Sequence, residues 1–435
     1  MEPPPATRPT VPFPAARTPP ERLLLGPGPS PVAPSVMRAL AGPTVGHLDP
    51  LLLEVQDQIT GLLGPIFGTA NPWTLAFSGT GTSGMEGVLA NLVEAGECVL
   101  VSSGGYFGAR MAEVARRVGA RVILVEHEWG RPADLAKLRD AAAGNRVHHL
   151  CAVQAETSTG VAQPLAPMGQ LARELDAYFL VDAVTSLGCM PVDFDLAGID
   201  AAYSCSQKGL SCVPGLAPVS FSPRAARRIA EREKQVRSFY LDMNLLMRFW
   251  AGERGYHHTI CSNLLMALHE ACRLAHEEGL AARFERHRAV GRALRAGVRA
   301  LGLELFTSDE HALSQVTAIR VPAGIEDLPL RKRLLARFDI EISGGLGAQK
   351  GRMWRIGTMG HGASARNVAL VLECLAEALR EQGFRPKASG AEAALEALAL
   401  EALALEALAP GALAPGALAP GALAPGTLAL GTRPT

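Results

Sequence analysis

Between residues 75 and 221 the chain alternates two kinds of segment, and this alternation limits the fold more than anything else in it. Seven short apolar runs, LAFSG, ECVLVSS, RVILVEH, VHHLCAVQ, AYFLVDAV, DAAYSCS and LAPVSFS, read as strands. Between them lie EGVLANLVEA, GARMAEVARRVG, ADLAKLRDAAAG and MGQLARELD, whose apolar positions recur at three and four residues, as on one face of a helix. Strands alternating with helices of this length imply an α/β architecture: a mainly parallel sheet sandwiched by helices. In such sheets ligands gather at the carboxyl ends of the strands.

After Pro223 the pattern turns helical, through SNLLMALHEACRLAHEEGL and LAARFERHRAVGRALRAGVRALG. A smaller α+β unit follows, with QVTAIRV, IEISGG and MWRIGTM as strands and LPLRKRLLARF and SARNVALVLECLAEALREQ as helices. The expected organisation is a proline-rich arm over 1–21, a large domain over 22–278, a small C-terminal α+β domain over 279–385 and a low-complexity tail over 386–435. In that tail LEALA repeats give way to LAPGA. A five-residue repeat advances a helix by roughly 500°, so its leucines cannot share one face, and Pro-Gly forbids helix in the second half. The tail is therefore expected to be at best a loose helix, outside the fold.

The 42 basic and 42 acidic side chains cancel. That balance lacks the charge signature of a nucleic-acid or membrane-surface binder and points to a small-molecule substrate. The eight cysteines contain no C-x-x-C pair, so neither zinc nor a disulfide framework is signalled. No uncharged apolar run is long enough to span a bilayer, and a cytoplasmic protein is expected.

Two residues carry the chemistry. Asp182 ends the apolar run YFLVD, where a carboxylate is costly unless a cation pairs with it. Lys208 follows the run AAYSCS in a glycine-rich setting, where desolvation can leave a neutral amine able to condense with an aldehyde. Either alone could be a helix cap or a surface charge. At the ends of neighbouring strands they match the pattern of pyridoxal 5'-phosphate sites, a Schiff-base lysine with an acidic partner for the pyridinium nitrogen. The stretch SGTGTSG at 78–84, opening a helix, suits a phosphate; an ordinary capped turn reads the same way, and a P-loop does not, because no G-K-[ST] follows.

The chain resembles the class V, fold-type I aminotransferases of the alanine–glyoxylate and serine–pyruvate subgroup, from about Leu24 to Ala378. The strings that carry the resemblance include LLLGPGPSP, FSGTGTSGMEG, GGYFGARM, ETSTGVAQPL, VDAVTSLG, SCSQKGL, SFYLDM, YHHT, EISGGLG and MWRIGTMG. It implies that Lys208 holds the cofactor and shuttles a proton, that Asp182 keeps the ring nitrogen protonated, and that Val184 and Phe107 cover the two ring faces. Phosphate contacts would come from Thr80, Gly81, Thr82 and Gln207, and from Tyr256 and Thr259 of a partner subunit, which implies a homodimer with shared sites. Arg355 would clamp the substrate carboxylate, Thr157 would lie near both cofactor and substrate, and Gly28 would offer a backbone contact. Two departures stand out: Cys261 follows YHHT where relatives commonly carry proline, and Ser103 precedes Gly104 where many carry asparagine.

The expected reaction moves the amino group of a small amino acid, alanine or serine, to glyoxylate or pyruvate. Alternatives on the same resemblance are ureidoglycine–glyoxylate and 2-aminoethylphosphonate aminotransferases, and a non-catalytic cofactor-binding scaffold. A cysteine desulfurase is disfavoured, because no cysteine lies between Cys272 and Cys374 and Phe107 stands where a histidine is common. His257 and His258 are adjacent, so they would point apart rather than chelate one metal.

Overall fold

The computed structural model describes residues 17–251 and 254–408. Most of the proline-rich arm and the Ala-Pro-Gly repeats lie outside the described residues. The seven expected strands form one sheet: β1 (Thr74–Ser78), β2 (Cys98–Ser103), β3 (Arg121–Glu126), β4 (His149–Val153), β5 (Tyr178–Asp182), β6 (Ala201–Tyr203) and β7 (Leu216–Phe221). Its order is β1-β7-β6-β5-β4-β2-β3, and only β7 runs against the others. All of β1, β2, β4, β6 and β7 is buried, without polar alternation, because helices cover both faces. Helix α1 (Gly81–Leu92) leaves the end of β1, and α2 (Tyr106–Arg117) leaves the end of β2. The crossovers therefore bring Ser78, Ser103, Val153, Asp182 and Tyr203 to one rim.

Helices α3 (Ser262–Glu278) and α4 (Leu280–Ala300) meet at Gly279, whose φ of 82° breaks the run. Beyond α4 an antiparallel sheet has order β8-β10-β9, with β8 (Val316–Arg320), β9 (Ser343–Gly344) and β10 (Met353–Gly357), backed by α5 (Ala365–Glu381). The buried apolar side chains form two main clusters, one from Ala33 to Ala275 and one from Val290 to Ala394. Leu25 belongs to the second cluster, because Leu23 and Leu24 pair in parallel with Ile340 and Glu341. Residues 23–25 thus join the smaller core, whereas residues from 22 onward were expected with the larger one.

The tail departs further from expectation. Residues Gly390–Leu408 form a 19-residue helix, α6, packed on α4 and α5. The repeated leucines indeed share no face: Leu395, Leu400 and Leu403 are exposed. Ala391 and Ala394 are buried, and Ala397 and Leu398 pack beside them, which gives a narrow stripe at three- and four-residue spacing. Small alanines suffice because the contact is close: a Cβ on Gly297 of α4 would stand 2.5 Å from the carbonyl oxygen of Gly390.

Candidate active site

Lys208 lies five residues beyond the end of β6 and is 8% exposed. Its Nζ donates to the carbonyl of Pro27 at 2.7 Å, to Thr185 Oγ1 at 3.2 Å and to Thr157 Oγ1 at 3.4 Å. All three are neutral oxygens. Burial pulls the amine below the usual lysine range, while Cys205 and Asp182 oppose that shift. Gly28 closes over its stem: with φ +112°, a Cβ there would stand 3.0 Å from Lys208 Cγ, so backbone alone fits.

Asp182 is 2% exposed at the carboxyl end of β5. Its Oδ1 accepts the Val184 amide at 2.8 Å and its Oδ2 accepts the Tyr203 hydroxyl at 2.8 Å. Burial raises its affinity for a proton, opposed by those two donors and by the charges of Lys208 and Arg110. No cationic side chain hydrogen-bonds to it among the described residues, so a buried carboxylate is left with room for one positive partner.

The β1–α1 turn lies alongside. Thr80 caps α1 without using its hydroxyl on the helix, and Thr80 and Thr82 are both exposed. Gly81 touches the same centre from the other side: a Cβ on it would stand 3.3 Å from Val184 Cγ2 and 3.1 Å from Cys205 Cβ. Gln207, next to Lys208, keeps its buried Oε1 without a partner. An uncapped helix N-terminus with free hydroxyls is chemistry for a phosphate.

Glu156, which the sequence reading did not single out, organises the remaining wall. Its carboxylate is 4% exposed and accepts from Ser158 Oγ at 2.6 Å and from the amides of Ser158, Phe107 and Gly108 at 3.1, 3.2 and 3.4 Å. It thereby ties the first turn of α2, with the half-buried Phe107 ring, to the segment that carries Thr157. Arg355 closes the site from β10. It is 5% exposed, donates to the carbonyls of Gly344 at 2.9 Å and Thr157 at 3.1 Å, and hydrogen-bonds to no carboxylate. Burial holds its guanidinium down to about 10, with nearby Glu156 pulling the other way.

Lys208, Thr157, Arg355, Gly28, Asp182, Val184, Gly81 and Phe107 are thus linked by direct or one-residue contacts. Tyr256 and Thr259 are not: both are exposed, on a loop held through His257 and His258. His257 Nε2 donates to the Phe239 carbonyl at 2.9 Å, the two Nδ1 atoms share a proton at 2.7 Å, and His258 Nε2 meets Ser78 Oγ at 3.3 Å. No group of side chains suited to a metal occurs among the described residues. Besides Glu156, sequence reasoning missed Thr185, Tyr203 and the Pro27 carbonyl. Thr185 and Glu156 lie inside strings already noted, VDAVTSLG and ETSTG, but only the fold shows what they touch.

The centre thus joins a buried lysine and a buried aspartate near adjacent strand ends with an arginine from a second sheet. The family model for class-V aminotransferases matches residues 58–360. The chain belongs to the class V aminotransferases. It is similar to the alanine–glyoxylate aminotransferase of Rattus norvegicus, 39% identical over 83% of this chain and 88% of the relative. The (S)-ureidoglycine–glyoxylate transaminase of Bacillus subtilis is 38% identical over 87% of this chain and 95% of that one. Among solved structures, the alanine–glyoxylate aminotransferase from Nostoc sp. superposes with a TM-score of 0.83 at 44% identity, covering 84% of this chain and 97% of that one. As a class V aminotransferase the protein is an enzyme, and its α/β fold is that of the fold-type I group.

Proposed function

We propose that this aminotransferase binds pyridoxal 5'-phosphate and moves the amino group of alanine or serine to glyoxylate or pyruvate. The observation that carries the reading is the buried Lys208 amine, held by neutral oxygens only, beside a buried carboxylate without a cation. The residues fit the cofactor: Lys208 for its aldehyde carbon, Asp182 for its ring nitrogen, Val184 and Phe107 for its faces. Thr80, Gly81, Thr82 and the Nε2 of Gln207 could donate to its phosphate. When bound, the cofactor supplies an electron sink for negative charge at the substrate α-carbon.

The protein's own groups do the rest. Arg355, free of any carboxylate, binds that of the substrate with a planar fork and so orients the α-carbon. Lys208 Nζ, depressed by burial, takes and returns the α-proton, aimed by Thr157 and Thr185. Small donors fit because the guanidinium that reaches Thr157, that of Arg355, is needed for the α-carboxylate.

The same reading makes the enzyme a homodimer. Tyr256 and Thr259 are exposed on the loop whose His258 meets Ser78, and on this reading they would complete the phosphate site of a second copy. No described helix is long and apolar enough to cross a membrane. The eight free cysteines, seven of them buried, support a reducing compartment such as the cytoplasm.

The test is a donor screen: mix holoenzyme with single amino acids and follow loss of its visible cofactor absorbance. Alanine and serine should react fastest, with glyoxylate or pyruvate restoring the absorbance. Faster reaction with ureidoglycine, the donor named for the Bacillus relative, or with an aminophosphonate, would replace the assigned donor.

A further inference from the structure

Tyr203 is wholly buried, and its hydroxyl hydrogen-bonds, among the described residues, to Asp182 Oδ2 alone. Parallel register places the two residues directly opposite each other on β6 and β5, so their side chains leave the same face of the sheet. The two residues before it on β6 are alanines, and Gly84 of α1 lies against it, a Cβ there reaching 3.1 Å from Tyr203 Cβ. The base of the side chain is therefore held between strand and helix, with the hydroxyl aimed at one oxygen. Burial and the facing carboxylate hold the phenol well above its usual range, so it is a permanent donor.

We propose that Tyr203 is a positioning residue for the aminotransferase reaction: its hydroxyl, with the Val184 amide, occupies one lone pair on each Asp182 oxygen, keeping that carboxylate ionised and weakly basic opposite the ring nitrogen. This rests on the assignment of Asp182 to that nitrogen. Without the phenol, charge concentrates on Oδ2, the carboxylate becomes a stronger base, and the shared proton moves from the ring nitrogen onto Asp182. The ring then withdraws electrons less well, which slows proton removal without touching substrate binding.

The experiment loads wild type and Tyr203→Phe with pyridoxal phosphate labelled with nitrogen-15 in the ring and follows its chemical shift with pH. The variant's ring nitrogen should move toward its unprotonated chemical shift across the pH range in which the pair holds its proton, with kcat down about tenfold and KM for alanine unchanged. Identical nitrogen titrations in the two proteins would overturn the proposal, whatever happens to activity. Should Tyr203→Phe fail to fold, 3-fluorotyrosine placed at 203 keeps the shape and donates more strongly. It should move the nitrogen shift toward the protonated value, and no change overturns the proposal equally. Borohydride trapping in the wild type separates the underlying assignment: cofactor mass absent from Lys208, or a ring nitrogen unprotonated from the start, sinks that reading and this one together.

Discussion

At the residue scale, the site is a set of buried charges each left one partner short. Arg355 shows this most plainly: two backbone carbonyls hold its guanidinium, and Glu156 supports it only at a distance. A lysine could satisfy one carbonyl but could not also present a fork to a carboxylate. Arg355→Lys should therefore raise KM for the amino donor and lower kcat/KM about 100-fold, in steady-state assays with alanine. Cofactor absorbance should be preserved. Glu156 acts differently, as a buried acceptor for three amides and one hydroxyl, so its work is to fix the α2 turn carrying Phe107. Nothing in the string ETSTG distinguishes it from Thr157; its role exists only once β4 and α2 meet.

At the scale of elements, the first two turns of α4 join the site's two halves. Arg283 donates to the carbonyls of Gly188 at 2.8 Å and Gly209 at 2.5 Å, the second directly after Lys208. Arg286 donates to the carbonyls of Gly360 and Ala363, a few residues past β10 and Arg355. Next to Arg286, His287 is fully buried, donating Nδ1–H to the Arg283 carbonyl at 2.7 Å and accepting the Gly360 amide on Nε2 at 2.9 Å. Both nitrogens are used by the neutral ring, and burial with two neighbouring guanidiniums lowers its pKa from 6.5 to about 3. Below the ordinary histidine range the unfolded chain therefore binds a proton that the folded one refuses, and stability falls as pH drops. His287 alone should account for about 2 kcal/mol of loss between pH 7 and pH 5. Urea denaturation of His287→Gln at the two pH values should show a difference smaller by about that amount. An unchanged difference would mean the ring is protonated in place. From sequence the amphipathic pattern of this helix was clear, whereas its bridging contacts run to glycine carbonyls, which leave no mark in a residue pattern.

For the whole molecule, α6 is the feature that most changes the picture drawn from sequence. It closes the smaller core over α4 and α5 but supplies no side chain to the site. Ending the chain before Gly390 would uncover Gly297 and Leu301 and cost on the order of 3 kcal/mol. The thermal midpoint should drop while kcat at 25 °C persists; an unmoved midpoint would return the segment to the status of a passive tail. The α/β class and the seven strands of the main sheet were legible in the chain alone, and so were Lys208 and Asp182 as candidates at neighbouring strand ends. Strand periodicity and the cost of burying charge are local properties that survive without coordinates. What needed the tertiary structure was every relation between distant segments: Tyr203 on Asp182, Glu156 under Phe107, Leu25 in the smaller core, and the start of α6 packed on Gly297. Those depend on register and on how closely two backbones approach, and a one-dimensional pattern carries neither distance.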